Sequence, residues 1–265
     1  MTTGAPIPDR HELYERAVQS PAMQARFLRA LLGPRREGAV TLGEDFCAAG
    51  AVARAFLTLD ADHFAVCVDL DREALDRLSE MLDPAFAGSL TIRHQDVFEA
   101  QDPVDILAAL NFSLCEIHER ERLVEYLRNA RRRLNPGGLL IADLYGGADA
   151  MAIGESVERL PYGTRYVWEQ RQVNPLTGRV VNAMHFRLPS GETLRDAFVY
   201  DWRLWTVPEL RDALREAGFA STEVHDRLGG AIDDAGNLHP LPVTDPDALD
   251  ETFVVYLVAR QGDRA

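Results

Sequence analysis

Lysine is missing altogether. All 28 basic residues are arginine, set against 42 Asp and Glu, for a formal net charge of −14. Binding a duplex or a long RNA draws on clustered positive charge along the phosphates, so a nucleic acid is disfavoured as the main partner. The densest basic stretch, Arg128 with Arg131, Arg132 and Arg133, reads as the solvated last turn of one helix, where cations suit the dipole. Cysteine is scarce too. Cys47, Cys67 and Cys115 are odd in number and none stands in a C-x-x-C pair, which points away from a disulfide framework and a zinc site and towards a reducing, cytoplasmic setting. Long apolar runs are also absent: none approaches the roughly eighteen residues of a membrane span, and Met1 to Arg10 has no basic start followed by an apolar stretch. Neither a membrane partner nor a secretory leader is expected. No repeat and no low-complexity tract appears.

What is present is an ordinary globular composition, 46% hydrophobic and 26% charged over 265 residues, long enough to bury a full core. His11 to Leu32 has helical spacing interrupted by Pro21 and predicts two short helices. From Ala39 short apolar runs alternate with helix-period segments. Strands are expected at Ala39–Leu42, Phe64–Val68, Leu90–Ile92, Val104–Leu110 and Gly138–Ala142, with helices near Ala51–Leu59, Arg72–Leu82 and Glu119–Leu134. Alternation of this kind requires crossover connections, hence an α/β fold with a doubly wound, Rossmann-like, mostly parallel sheet. Between Ala148 and Trp205 the rhythm breaks. Tyr166–Val173, Val180–Leu188 and Thr193–Asp201, separated by turn signals, predict a three-stranded antiparallel β insertion. Thr206-x-x-Glu209 is a capping box opening a helix that Gly218 ends, strands are expected near Ser221–His225 and Thr252–Val258, and Gly229–Glu251 reads as a long loop.

A doubly wound sheet binds its nucleotide where the first strand meets the next helix. Here that stretch is Glu44-Asp45-Phe46-Cys47-Ala48-Ala49-Gly50. Phe46 and Ala48 occupy positions where a pyrophosphate needs glycine, so a dinucleotide fits poorly and an NAD-dependent oxidoreductase is a weak third reading. A nucleoside cofactor without phosphate tolerates those side chains. Asp69, ending the second strand, can accept from a ribose diol, and Asp96, after the third, from an adenine amine. Asp71 doubles as an N-cap candidate. Three acids after three successive strands, 25 and 27 residues apart, make one pattern.

These residues resemble the class I S-adenosylmethionine-dependent methyltransferases, in an E-D-F-C-bearing bacterial branch similar to small-molecule N-methyltransferases. Glu44 to Gly50 looks like that family's D-x-G-C-G-x-G motif, with Phe46 and Ala48 replacing two glycines, and Asn135-Pro136-Gly137-Gly138 like the turn before its fifth strand. The resemblance implies S-adenosyl-L-methionine as cofactor. Glu44, Phe46, Cys47 and Gly50 would line it from the first loop, Asp69 and Leu70 from the second strand, Asp96 and Val97 from the third, and Asn111 from the fourth. It divides the chain into an N-terminal helical segment (1–38), a cofactor-binding core (39–147), an antiparallel lid (148–205) and the end of the core sheet (206–265).

Methyl transfer from a sulfonium is an in-line displacement, so positioning and water exclusion matter most. The acceptor is expected above the fourth and fifth strands. There Asn111 either orients it or only satisfies the strand end, and Asp143 and Tyr145 are candidate contacts. His118 is a candidate base, with a surface role beside the helix start as the alternative. The insertion, with Tyr166, Trp168, His185, Tyr200, Trp202 and Trp205, is similar to the lid of amino-sugar and glycine-type N-methyltransferases. That likeness implies that Tyr166 and Trp168 face substrate, that Tyr14 closes the site, and that a homodimer is compatible; packing of the aromatics is the other reading. The leading reading is a methyltransferase for a small-molecule N or O nucleophile, and the second a non-catalytic protein that binds the same cofactor.

Overall fold

The computed structural model describes residues 9–33, 38–226, 230–232 and 238–262. It opens with α1 (Arg10–Val18) and α2 (Pro21–Leu31), split where Pro21 requires, since proline suits the first turn of a new helix and not the interior of an old one. Asp9 caps α1, accepting from the N–H groups of His11 and Glu12 at 2.8 and 3.0 Å. The expected alternation follows: β1 (Thr41–Asp45), α3 (Ala51–Leu57), β2 (Phe64–Asp69), α4 (Arg72–Met81), β3 (Leu90–His94), β4 (Val104–Ala109), α5 (Arg120–Arg133) and β5 (Leu134–Gly147). Asn135-Pro136-Gly137-Gly138 is a bulge inside β5 and not a turn before it. Pairing with β4 jumps from Val104↔Leu134 to Ile106↔Leu139, and Asn135 Nδ2 fills the gap by donating to Asp105 Oδ1 at 2.8 Å.

The insertion has four strands where three are expected: β6 (Gly154–Arg159), β7 (Arg165–Asn174), β8 (Arg179–Arg187) and β9 (Thr193–Arg203), antiparallel and in that order. Every residue of β6 is exposed, so it carries none of the inside-outside alternation by which a strand is read. Gly147 makes the corner from β5 into this lid. Its φ is 104°, and a Cβ there would run into the carbonyl oxygen of Glu251, which leaves room for glycine alone. The chain returns through α6 (Val207–Ala217), with both halves of the Thr206/Glu209 capping box formed, then β10 (Ser221–Asp226), the short pair β11 (Gly230–Ile232) and β12 (Leu238–Pro240), and β13 (Thr252–Arg260). The span expected as loop from Gly229 to Glu251 thus contains a small antiparallel ladder, Gly230↔Pro240 to Ile232↔Leu238; three-residue strands are too short to show a pattern. Residues 227–229 and 233–237 lie outside the described residues.

The main sheet runs β10-β13-β5-β4-β1-β2-β3, parallel except for β13, which is antiparallel to both neighbours. Its central strands are buried on both faces, and residue parity sorts them. Ala65, Cys67, Ile106, Ala108, Leu139, Ile141 and Val258 pack with α2 and α3, while Val66, Val68, Leu107, Ala109, Leu140, Ala142 and Leu257 pack with α5 and α6. Each fully buried aliphatic side chain contributes about 1.5–3 kcal/mol. No helix among the described residues is long and apolar enough to cross a membrane.

One ionic contact crosses this core. Arg133, at the end of α5, donates from Nη1 to both carboxylate oxygens of Asp45 at 3.0 and 2.8 Å, and Tyr126 O–H donates to the same carboxylate at 2.9 Å. Their side chains are 2% and 0% exposed. Arg133→Met, which strands the Asp45 charge beneath the loop that follows β1, is expected to lower stability by about 3–5 kcal/mol in urea denaturation. Adding Asp45→Asn to it is expected to restore at least half of the loss; a double variant no more stable than the single would show that the charge pairing is not what holds this site.

Candidate active site

The chain leaves β1 at Asp45 and turns into α3 within a few residues. It does so through left-handed backbone at Phe46 (φ 56°), Ala48 (φ 47°) and Gly50 (φ 59°). Residues with a Cβ resist this region by roughly 1–2 kcal/mol each, so Phe46 and Ala48 are held in a glycine conformation by their surroundings. Carboxylates do the holding. Asp69 Oδ2 accepts from the Ala48 N–H at 2.7 Å and its Oδ1 from the Asp71 N–H at 2.8 Å. Glu44 Oε2 accepts from the Ala53 N–H, in the first turn of α3, at 2.8 Å. Gly50 cannot be replaced in the same way, because a Cβ would sit 2.7 Å from Leu78 Cδ1. The Phe46 ring turns inward onto Tyr126, so its bulk leaves the mouth of the loop clear.

The acids read from sequence divide by environment. Glu44 is 3% exposed, and burial, opposed by the Ala53 hydrogen bond and by Arg54, pushes its carboxyl up to about 8. It pins the start of α3 from within the protein. Asp69 and Asp96 stand half-buried at the ends of adjacent strands β2 and β3, and Asp96 caps the turn Val97–Glu99 by accepting from the Phe98 N–H at 3.0 Å. Asp71 is the N-cap of α4, as its alternative reading has it. Leu70, beside Asp69, is 65% exposed, an apolar surface facing solvent at the strand ends. Cys47 and Val97 are buried in the core.

At the ends of β4 and β5 the same device recurs. Asn111 (φ 59°) and Phe112 (φ 62°) are both left-handed, and Asp143 accepts from their N–H groups at 3.0 and 2.7 Å. Burial pushes Asp143 up to about 6 despite these bonds. The two residues open onto a cavity of about 290 Å³, walled by Tyr14 and Gln24 from the N-terminal helices, by Asp143 and Tyr256 from the sheet, and by Glu158, Tyr166, Trp168, Met184, Tyr200 and Trp202 from the lid. The structure therefore brings Asn111, Asp143, Tyr14, Tyr166 and Trp168 together. Helix α1, seated by the buried Leu13, carries Tyr14 there, and ion pairs set its register: Glu15 to Arg54 of α3 at 2.7 Å, Arg10 to Glu73 of α4 at 2.9 Å, and Asp9, its N-cap, to Arg77.

Two candidates lie elsewhere. His118 is not among the residues lining this cavity; its Nε2 meets the Asp201 carbonyl at 2.6 Å, and Arg203 donates to the His118 carbonyl at 2.8 Å, so it links the α5 entry to β9. Tyr145 lines a separate cavity with Pro175, Leu176 and Trp205, its ring 5.0 Å from Phe112 and its O–H 3.4 Å from Gln170. Tyr200 and Trp202 line this cavity, where their expected role is packing of the insertion. Their spacing, with Phe198, puts them on one face of β9, which is the signal that marks them. Glu158 offers no such signal on its fully exposed strand. His185 and Trp205 serve packing: Trp205 Nε1 donates to the Leu114 and Ile117 carbonyls at 3.1 and 3.2 Å. His185 sits with Glu169 and Asp196 within ligand distance of one another. Its Nδ1 accepts from the Asp196 N–H at 2.8 Å, which leaves the proton on Nε2, 2.9 Å from Glu169. Arg171 bonds both carboxylates, so a guanidinium already supplies the cation of this cluster.

No protein-family model matches the sequence, and no curated protein does. Solved structures do. An S-adenosylmethionine-dependent methyltransferase from Clostridium acetobutylicum superposes with a TM-score of 0.69 at 14% identity, over 95% of this chain and 97% of that one. The sugar N-methyltransferase KedS8 from Streptoalloteichus gives 0.64 at 18%, over 98% and 96%. CalS10, an amino pentose methyltransferase from Micromonospora echinaspora solved with its S-adenosylmethionine bound, gives 0.66 at 14%, over 95% and 96%. The chain has the fold of the class I S-adenosylmethionine-dependent methyltransferases.

The state of Glu44 has a measurable consequence. Native Glu44 keeps its proton up to about pH 8, whereas an ordinary glutamate gives it up near 4.5. The native state therefore binds the extra proton between those values, and stability falls as pH rises through them, by at most about 1.4 kcal/mol per pH unit. Glu44→Gln keeps the acceptor for Ala53 and has no proton to lose, so its stability relative to the parent is expected to improve from pH 5 to pH 8 in urea denaturation. A constant difference between the two pH values would show that Glu44 is ionised in the fold.

Proposed function

We propose that this chain is an S-adenosyl-L-methionine-dependent methyltransferase acting on a small-molecule N or O nucleophile. The observation that carries the reading is the held loop: Phe46, Ala48 and Gly50 share the left-handed conformation, and Asp69, which accepts from the Ala48 N–H, stands at the strand end where a ribose diol would bind. Asp69 would accept from the diol, Leu70 would cover one face of the adenine, and Asp96 would accept from its amine. The exposed Leu70 and the half-buried carboxylates suit a nucleoside, and no phosphate anchor is needed. When bound, the cofactor supplies an electrophilic methyl on a sulfonium.

The chain's own part is placement. Asp143 fixes the Asn111–Phe112 turn, which sets the floor of the acceptor cavity and presents the Asn111 amide to it. Tyr14 and the lid aromatics close the cavity above and exclude water, which protects an in-line displacement. The acidic surface disfavours a nucleic-acid acceptor, and the enclosed space suits a small one. Cys47, Cys67 and Cys115 are free and buried, in keeping with a reducing, cytoplasmic setting. KedS8 and CalS10 are described as sugar N- and amino pentose methyltransferases, which leans the acceptor towards nitrogen.

Calorimetry with S-adenosylmethionine and with its demethylated product tests the reading; no heat with either would refute it. Asp69→Ala removes charge-assisted hydrogen bonds of about 1.5–3 kcal/mol each, so cofactor affinity is expected to drop roughly ten- to more than a hundredfold. Unchanged affinity would take the ribose role away from Asp69.

A further inference from the structure

The lining of the acceptor cavity has a chemistry that the fold does not dictate. In a chain with 28 arginines, no Arg or His is among the described residues that line it, and its ionisable acids are Asp143 and Glu158. Opposite Asp143 stands a continuous aromatic wall on one face of the lid. Tyr200 and Trp202 stack with centroids 4.5 Å apart, and Trp168 lies 5.7 Å from Trp202 and 6.3 Å from Tyr200. Tyr166 is two residues before Trp168 on the same face of β7. Burial raises the phenols of Tyr166 and Tyr200, so these rings stay neutral and offer quadrupoles with negative faces. Carboxylates and ring faces together make a negative enclosure with no cation of its own.

Resting on the methyltransferase reading, we propose that this cavity takes an amine with an apolar body and no phosphate or carboxylate, and that the aromatic wall with Asp143 and Glu158 holds the positive charge which the nitrogen gains on methylation. The neutral amine's lone pair forms the new N–C bond as the methyl's bond to sulfur breaks. The breaking pair stays on sulfur, which becomes an uncharged thioether, and the positive charge passes to nitrogen. A primary or secondary amine then sheds one proton to water; a tertiary amine keeps the charge as a quaternary ammonium. A volume of about 290 Å³ is at the small end of ligand cavities, and a phosphate placed beside the buried Asp143, with Glu158 at the exposed rim, would meet like charge where solvent screens it least.

The test needs no cofactor in its first arm. Choline, its neutral carbon isostere with a tert-butyl group in place of the trimethylammonium, and phosphocholine are titrated into the protein, and tryptophan fluorescence and heat are followed. Choline is expected to bind at least about tenfold more tightly than either of the others, and Trp168→Leu and Glu158→Gln are each expected to weaken it about three- to tenfold, with the heat of S-adenosylmethionine binding as the control for folding. In the second arm the cofactor is present, and methyl transfer to benzylamine is expected to exceed transfer to phenol and to phosphoethanolamine. Equal affinity for the isostere, preference for phosphocholine, or preferred transfer to phenol or phosphoethanolamine overturns the proposal. If these occur while the cofactor still binds, the methyltransferase reading stands and only the acceptor class falls; if choline selectivity holds and no cofactor heat is seen, the reverse is true.

Discussion

Carboxylates clamped on backbone N–H groups hold the strand ends in shape, and every feature of the site depends on them. Asp69 grips Ala48, Glu44 grips Ala53, Asp143 grips Asn111 and Phe112, and Asp96 grips Phe98. In two of these places the gripped backbone is left-handed at residues with side chains, a conformation that costs about 1–3 kcal/mol wherever it is kept. A charge-assisted hydrogen bond of about 1.5–3 kcal/mol is the right size to offset it. The acids that a sequence marks as ligands are therefore structural first: an ionised or buried carboxyl fixes the loop, and whatever capacity remains at the half-buried ones faces the cleft.

The second constraint is the position of α1. Its Glu15, Arg10 and Asp9 make ion pairs to α3 and α4, which flank the loop after β1, while Leu13 and Tyr14 join Met184, Phe186 and Phe198 of the lid. One short helix thus touches both halves of the site. Partly exposed ion pairs contribute little each, so α1 is held chiefly by Leu13, which is 1% exposed, and the charges set its register. A lid anchored at one end by buried apolar packing and steered elsewhere by arginine pairs can seat Tyr14 over the acceptor cavity without a covalent tie.

The fold is legible because its central strands are buried on both faces and separated by helices of the right period. Ala65 to Val68 and Leu139 to Ala142 read as strands from apolar content alone. What escaped did so for reasons of exposure and length. β6 has no buried face, and β11 and β12 are three residues each. Asp69 and Asp143 are legible as strand-end residues because topology sets where strands end, whereas Tyr14 and Trp168 are named only through the likeness of the insertion. The contact of His118 with the Asp201 carbonyl depends on how the inserted sheet docks, which no local pattern encodes. Phe46 and Ala48 read as losses of glycine, yet both keep the left-handed conformation; at Ala48 a bond from its N–H to Asp69, more than twenty residues away in sequence, supports it.

The charge distribution ties these levels together. A net charge of −14 draws cations towards the whole surface, but selectivity needs the sign to persist where solvent no longer screens it. Here it does. The arginines near the cleft are spent on partners, Arg54 on Glu15, Arg133 on Asp45 and Arg171 on Glu169 and Asp196, and those partners are themselves acids that would otherwise add to the repulsion. What is left is the buried Asp143, with Glu158 at the exposed rim, beside a wall of neutral rings. Guanidinium is the group that can be used up in this way, because its planar fork commits it to two acceptors at once and it does not lose its proton. A chain that has arginine and no lysine can therefore pair its positive charges off around the cleft while the buried Asp143 keeps its sign.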